Sequence, residues 1–285
     1  MKKKYIFFLI PFLFCVQAVA KEKPCDIYGI EKDAPLLCGV AQQGGMLYGN
    51  SDGWQVYDGN KKISKNGFFV VGLDRDAPDI QKLTFCMPGK ALASGVCKTY
   101  SYKIVQRKYQ EQKITVPSKF VKYPPEVEKR IAMEAAAIKK ARDVAAKDTA
   151  LYFMKFRIPE NLNKYRISGV FGSARVFNGE VKNPHKGTDW AAPVGTPVYS
   201  FAPGRVILAE SHYLNGNIVI LAHGHNITTT YLHLDKISVK VGDAVGMDTK
   251  LGTVGATGRT SGPHLHAQGN FGSVAIDIYL IAKGT

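Results

Sequence analysis

The chain has 285 residues, of which 45% are hydrophobic and 21% are charged, and its formal net charge is +15. This length is enough for two domains, and the composition is that of a folded globular protein, which excludes a disordered or fibrous chain. The positive charge favours an anionic partner such as a cell envelope, with a merely soluble basic surface as the alternative. No nucleic-acid-binding motif accompanies the charge, so we expect no nucleic acid partner.

The first twenty residues have the pattern of a secretory signal peptide. Three lysines at 2–4 precede an apolar run at 5–16, and Ala-Val-Ala at 18–20 supplies the small residues of a cleavage site. The run is shorter than the roughly 20 residues of a membrane-spanning helix, and the bulky Phe14 argues against lipidation of Cys15. We therefore predict an exported protein of the periplasm that is at most peripheral to a membrane.

Export changes the interpretation of the cysteines, because disulfides form in oxidising compartments. The chain after residue 20 has four cysteines, Cys25, Cys38, Cys86 and Cys97, for which three connectivities exist. We favour Cys25–Cys38 and Cys86–Cys97 because each bond closes a short loop. A four-cysteine zinc site is disfavoured because CxxC pairs are absent.

Short strands separated by turns predict a small β-sandwich domain over residues 21–116. Asp58-Gly59 and Asn66-Gly67 are hairpin signals between β-prone runs. The region has no cluster of His, Asp, Glu or Ser that suggests chemistry, so we expect a binding or covering role. One hypothesis is that it covers a functional groove together with the segment 109–123.

Residues 117–153 are predicted to be a linker followed by one long helix. The helix begins at Glu126 after two prolines, continues to about Tyr152, and has apolar residues at helical spacing. Its apolar stripe is narrow, which favours a spacer helix packed against a domain. A membrane-surface helix is the weaker alternative, since large apolar residues are few.

From residue 154 to residue 285 the sequence predicts a mainly β domain. Its β-prone runs are separated by Gly, Pro and Asn, and they lie at 196–201, 205–209, 217–222, 227–234 and 264–271. No helical pattern occurs between the histidine at 185 and those at 264 and 266, so loops and strands must present any functional site there.

Two groups of potential metal ligands lie in this domain. His185 and Asp189 are four residues apart, but a proline and a glycine beside them favour a loop that leads into a strand. His264 and His266 share one face of a strand, because side chains alternate there. Imidazole and carboxylate are zinc ligands. The pattern thus predicts a zinc site in which one of these two strand histidines binds the metal while the other lies beside it.

A lone histidine, His233, is a candidate acid or base for a metal-bound water. By strand alternation we expect it to share a face with Tyr231. His223 and His225 form a rival H-x-H pair, but the glycine between them and the asparagine after them favour a turn.

Longer motifs around these residues resemble the M23 zinc metallopeptidases, the lysostaphin-like endopeptidases that cut peptide bonds in bacterial peptidoglycan. The resemblance covers most of the domain at 154–285. The motifs that carry it are ISGVFGSAR (167–175), HKGTD (185–189), APVGTPV (192–198), GNIVI (216–220), YLHL (231–234) and GATGRTSGPHLH (255–266).

The resemblance implies a groove floored by antiparallel sheet, one zinc ion bound by His185, Asp189 and His266, and proton transfer by His233 and His264. It also implies hydrolysis of cross-links between peptidoglycan stem peptides by a metal-activated water. The alternative is a non-catalytic envelope protein that activates another cell-wall hydrolase. Such relatives typically lack ligands, whereas none is missing here.

Three further residues are candidates for substrate contacts. Arg175 and Arg259 could bind a substrate carboxylate, and Tyr231 could donate a hydrogen bond to the oxyanion of the tetrahedral intermediate. Structural ion pairs for the two arginines and simple packing for the tyrosine are the alternatives.

Overall fold

The computed structural model describes residues 25–87, 97–114, 123–177 and 180–284. The predicted signal peptide and most of the predicted linker lie outside these ranges. Within them the protein is mainly β, with mostly antiparallel strand pairing and two α-helices, which confirms the predicted mainly β class. The sandwich arrangement of the N-terminal strands stays a prediction. Neither helix is long and apolar enough to cross a membrane.

The N-terminal region has two four-stranded antiparallel sheets, in the spatial orders β1-β2-β6-β5 and β4-β3-β7-β8. The strands are β1 (Cys38–Gly39), β2 (Met46–Asn50), β3 (Gln55–Asp58), β4 (Lys61–Lys62), β5 (Ser64–Lys65), β6 (Phe68–Gly72), β7 (Ile80–Cys86) and β8 (Cys97–Lys103). Gly59 and Gly67 have φ angles of 56° and 81° at the two predicted turns, a conformation that glycine adopts without strain. Leu47, Phe69 and Leu83 belong to an apolar cluster to which both sheets contribute.

Both predicted disulfides are confirmed. Cys25 is bonded to Cys38, and Cys86 is bonded to Cys97. The second bond joins directly paired positions of the neighbouring strands β7 and β8.

Helix α1 (Pro125–Ala145) ends earlier than the sequence predicts. The Asp148 side chain accepts a hydrogen bond from the backbone N–H of Ala150, and such a turn competes with continued helix. Lys65 Nζ donates to the carbonyls of Ala146 and Lys147, which are left without helical partners. Two 3₁₀ helices follow, Tyr152–Lys155 and Glu160–Leu162.

The C-terminal region is built on a ten-stranded antiparallel sheet, with the main order β10-β13-β20-β17-β16-β15-β18. Its strands are β10 (Ile167–Gly169), β13 (Thr188–Trp190), β14 (Pro197–Tyr199), β15 (Gly204–His212), β16 (Gly216–Ala222), β17 (Ile227–Ile237), β18 (Ala244–Val245), β19 (Lys250–Val254), β20 (Leu265–Phe271) and β21 (Val274–Ile276). Helix α2 (Ile278–Gly284) follows the last strand.

A three-stranded sheet links the two regions. Strand β9 (Glu111–Ile114) pairs in parallel with β11 (Ala174–Phe177), which also pairs with β12 (Glu180–Lys182). Strand pairing therefore crosses the predicted domain boundary at residue 116.

The two faces of the large sheet have different partners. Val219 and Leu221 of β16 belong to the main core, to which Met46 and Tyr48 of the N-terminal region also contribute. The alternate residues of β16, Ile218 and Ile220, pack against Ala141 of α1 together with Leu208. Helix α1 thus covers part of the face opposite the core.

Candidate active site

Strand pairing brings two of the predicted ligands together. Asp189 of β13 is the direct cross-strand partner of His266 of β20, and its Oδ1 lies 2.7 Å from His266 Nδ1. The loop before β13 brings His185 Nε2 to 3.1 Å from each of these two atoms. The three side chains form a buried cluster that could hold a metal ion.

Two glycines give this cluster its space. A Cβ atom at Gly169 would lie 2.1 Å from Asp189 Oδ2, and one at Gly187 would lie 2.7 Å from His266 Nε2. The glycines of the two motifs therefore allow the backbone to approach the ligand atoms closely.

The ligand atoms fit a divalent metal. His185 Nδ1 donates to the carbonyl of Val170 at 3.0 Å, which leaves the lone pair on Nε2 for a metal. Burial raises the pKa of Asp189, but the His185 and His266 rings beside it outweigh this effect and keep the pKa of the carboxyl well below its usual range. Two ligand atoms bound to the same tetrahedral zinc ion lie roughly 3.3 Å apart. The three ligand atoms here are separated by 2.7–3.1 Å, which is close to that distance.

His233 reaches the same site through a β-bulge. Tyr231 pairs with Val219 and Leu234 pairs with Asn217, so two residues of β17 oppose the single residue between those partners. His233 has a φ of 61°, which is uncommon for a residue other than glycine. The expectation that His233 shares a face with Tyr231 is therefore wrong, because the bulge interrupts the alternation.

The bulge places the His233 ring beside the other histidines. Its centroid is 4.8 Å from that of His264 and 6.4 Å from that of His266. Nδ1 donates to the carbonyl of Thr257 at 2.8 Å. Burial lowers the pKa of His233 to about 4, and the two neighbouring imidazoles act in the same direction.

His264 lies just before β20, close to the three candidate metal ligands. Its Nε2 is 3.9 Å from Asp189 Oδ1. Its Nδ1 donates to the carbonyl of Gly262 at 2.9 Å, and the hydroxyl of Thr260 lies 3.0 Å from the same nitrogen. Both non-ligand histidines are thus held through Nδ1 by a backbone carbonyl.

Other predicted residues lie elsewhere. Tyr231 is fully buried and its hydroxyl accepts a hydrogen bond from Phe201 N–H, so the predicted oxyanion contact is corrected to a packing role. His223 is buried with Nδ1 donating to the Pro203 carbonyl, and the rival H-x-H pair does not reach the metal cluster. Its second member, His225, packs its ring against Phe153.

The two candidate arginines differ in what the structure describes. Arg259 Nη1 donates to the hydroxyl of Tyr123 at 3.2 Å. Arg175 lies in β11, but its side chain falls outside the described part of the chain. Both remain predictions as substrate contacts.

Sequence reasoning did not single out the residues that orient His233. The carbonyl of Asn215 accepts its backbone N–H at 3.0 Å, and the carbonyl of Thr257 accepts its ring N–H. Every residue type has a carbonyl, so no residue identity signals this role. The nearest sequence signal is the glycine-rich run at 255–262, which lies just before His264.

Comparisons with known proteins agree with this geometry. Residues 183–278 match Peptidase family M23. The peptidoglycan DD-endopeptidase ShyA of Vibrio cholerae is 45% identical over 105 residues, which are 36% of this chain and 24% of ShyA. The peptidoglycan DD-endopeptidase ShyB of the same organism is 51% identical over 83 residues, 29% of this chain and 20% of ShyB. This chain therefore spans a quarter or less of these two relatives.

A solved structure extends the likeness beyond the peptidase region. The crystal structure of a candidate M23 peptidase from Pseudomonas aeruginosa superposes with a TM-score of 0.54 at 26% identity, over 85% of this chain and 96% of that one. The N-terminal sheets and helix thus have a counterpart in a known fold. The C-terminal part of this chain is a domain of peptidase family M23.

Proposed function

We propose that this protein is a zinc-dependent endopeptidase that hydrolyses peptide cross-links of peptidoglycan. The observation that carries the proposal is the convergence of His185, Asp189 and His266 on one point, with His233 and His264 beside it. The names of ShyA and ShyB support a DD-endopeptidase specificity. One bound zinc ion would polarise the scissile carbonyl and lower the pKa of a water molecule to about 7.

The chain's own residues would handle the protons. His233 donates through Nδ1 to the Thr257 carbonyl, so its Nε2 carries the lone pair. Its lowered pKa keeps the ring neutral at neutral pH. His233 can therefore accept a proton from the attacking water at Nε2 and return it to the leaving amine, and His264 has the same orientation through the Gly262 carbonyl.

The same proposal includes the location. The two disulfides support an oxidising compartment, and the pattern of residues 1–20 supports export. A periplasmic enzyme that acts on the stem peptides of the wall is consistent with both.

A pair of variants tests the proposed roles. His266→Ala is expected to lose zinc and activity together, whereas His233→Ala is expected to keep zinc and to slow turnover by roughly 10²–10⁴-fold. Metal analysis measures the first effect, and mass spectrometry of fragments from defined cross-linked muropeptides measures the second and identifies the cleaved bond. Each variant is the control for the other.

Two results would contradict the proposal. Full zinc content in His266→Ala would refute the ligand assignment. Zinc-loaded wild-type protein that releases nothing from sacculi at high enzyme concentration would refute the activity and favour the non-catalytic activator of another wall hydrolase.

A further inference from the structure

Helix α1 carries a cation onto the sheet face that bears the metal site. Arg142 Nη2 donates to Asn270 Oδ1 at 2.8 Å and lies 3.4 Å from Thr230 Oγ1. Asn270 is four residues after His266 on β20, so both are at alternate positions of that strand. On β17, Leu232 is the cross-strand partner of His266, and Thr230 is two residues before Leu232. Side chains at alternate positions share a face, so Arg142 and the ligand His266 meet the same side of the sheet.

Arg142 differs from the other cations of its helix. The exposed side chains of Arg130 and Lys139 are paired with the carboxylates of Glu134 and Asp143. In the described part of the chain no carboxylate forms an ion pair with Arg142, and its contacts are neutral amide and hydroxyl groups. Burial lowers its pKa to about 10, so the guanidinium keeps its charge at neutral pH.

The surroundings of Arg142 contain unused hydrogen-bonding groups. Its Nε and the Oγ1 of Thr228 are buried, and both lack a hydrogen-bond partner. Thr228 is the direct cross-strand partner of Asn270, so the two unsatisfied groups lie at one place under α1. A buried cation with an unsatisfied donor is costly unless an acceptor joins it. A carboxylate oxygen is the acceptor that suits both the charge and the geometry of a guanidinium.

The spacing from the metal site suits a peptide. Asn270 follows His266 by four residues on β20, which is about 13 Å along a strand. An extended peptide covers that distance in about four residues. A stem peptide with its scissile bond at the metal site would therefore bring a chemical group several bonds away from that bond into the neighbourhood of Arg142.

We propose that Arg142 is a specificity-determining residue that binds a carboxylate of the peptide substrate at a distance from the scissile bond. This inference rests on the proposed function, because it takes the acidic stem peptide as the ligand. Arg142 is not a catalytic residue, since its contacts are four strand positions away from the ligand His266.

The test uses cross-linked muropeptide dimers in which each free carboxylate in turn is converted into a carboxamide. Affinities are measured by calorimetry with zinc-loaded full-length protein carrying His233→Ala, in which cleavage of the dimer is slowed, and KM and kcat are measured with the protein that has His233. Amidation of one particular carboxylate is expected to weaken binding and raise KM by about tenfold, with kcat little changed.

Two variants show whether Arg142 is responsible. Arg142→Gln is expected to bind the free and amidated dimers equally, whereas Lys139→Gln, which removes a charge from the exposed side of the same helix, keeps the preference. Arg142→Lys retains the charge without the planar fork and is expected to keep only part of the preference. A purely structural role would lower the melting temperature of Arg142→Gln and leave the ratio of the two affinities unchanged.

The outcomes separate this inference from the proposed function. If wild-type affinities are the same for every dimer, or if Arg142→Gln keeps the wild-type preference, the inference is wrong even though the dimers are cleaved. If the dimers bind with the expected preference but none is cleaved, the proposed function fails and the carboxylate site stands.

Discussion

The ring N–H of His233 donates a hydrogen bond of 2.8 Å to the backbone carbonyl of Thr257. This contact fixes the tautomer, because a carbonyl can only accept. The side chain of Thr257 then holds the carbonyl in place, since its Oγ1 donates to the Leu234 carbonyl and accepts from Asn217 N–H. Thr257 is therefore hydrogen-bonded to both β17, which contains the His233 bulge, and β16, which pairs with it.

We expect Thr257→Ala to reduce kcat about tenfold with little change in KM, because a mobile carbonyl no longer holds the His233 ring. Thr257→Ser keeps the hydroxyl and should remain close to wild type. Steady-state kinetics on a defined muropeptide measure both. Thr249→Ala is the control, since Thr249 accepts a similar backbone hydrogen bond in a loop, from Gly246. Equal kcat values for the alanine and serine variants would contradict this role.

Acid stability should depend on His223, which is fully buried and lies 2.7 Å from both the Pro203 carbonyl and Thr229 Oγ1. Burial lowers its pKa from 6.5 to about 4. The unfolded chain thus binds the proton more tightly. The contribution of this group is fully present above pH 6.5 and is lost as the pH falls through that value toward 4, by about 3 kcal/mol in all.

Denaturant unfolding of wild type and His223→Gln over this pH window measures the effect. The variant should be less stable at neutral pH and should lose less stability on acidification. The metal-free protein is compared in both cases, so that protonation of the metal ligands contributes equally. Parallel stability curves for the two proteins would show that His223 is not the titrating group.

The sequence points to the candidate metal cluster because its members are side chains with distinctive chemistry in recognisable motifs. Residue type and spacing leave open which of His264 and His266 binds the metal, and the family resemblance implies His185, Asp189 and His266, whose ligand atoms the structure brings together. Local rules failed at His233, since strand alternation does not anticipate a bulge that depends on the register of β16 against β17. Arg142 was also missed, because nothing in the helix sequence tells which residue meets β20 in the folded protein.

The same contrast holds for the fold. Asp58-Gly59 and Asn66-Gly67 predict their turns because the required positive φ is a local property. The parallel pairing of residues 111–114 with 174–177 joins segments that are far apart in sequence. Neither segment has a local sequence pattern that identifies the strand with which it pairs. The sequence alone therefore could not show that strand pairing crosses the predicted boundary at residue 116.

Loss of the Cys86–Cys97 disulfide should lower stability without affecting the chemistry of the site. The bond closes a loop with a sequence separation of 11, for which the chain-entropy model gives about 3 kcal/mol. Denaturant unfolding of the Cys86→Ala, Cys97→Ala double variant is compared with wild type, and zinc content and kcat serve as controls. An unchanged unfolding midpoint, or loss of zinc in the variant, would contradict the prediction.

Arg107 and Asp277 join the N-terminal region to the peptidase domain by a salt bridge of 2.8 Å, in which the Asp277 side chain is 3% exposed. Asp277 Oδ1 also accepts the backbone N–H groups of Tyr279 and Leu280 at the start of α2. Arg107→Met leaves the buried carboxylate without its cation, and we expect a loss of about 2 kcal/mol. Adding Asp277→Asn to Arg107→Met should recover part of this lost stability, because an amide needs no counter-ion and its oxygen can still accept the N–H groups at the start of α2.

The matched control is Arg157→Met, which breaks an exposed ion pair with Asp248 and should cost well under about 1 kcal/mol. Denaturant unfolding gives the free energies of wild type and the three variants, and hydrogen exchange of the Asp277 N–H, which donates to the Gly44 carbonyl, reports on the contact between the two regions. If Arg107→Met is no more destabilising than Arg157→Met, the salt bridge does not hold the regions together. In that case the apolar contacts of Met46 and Tyr48 in the main core carry the association.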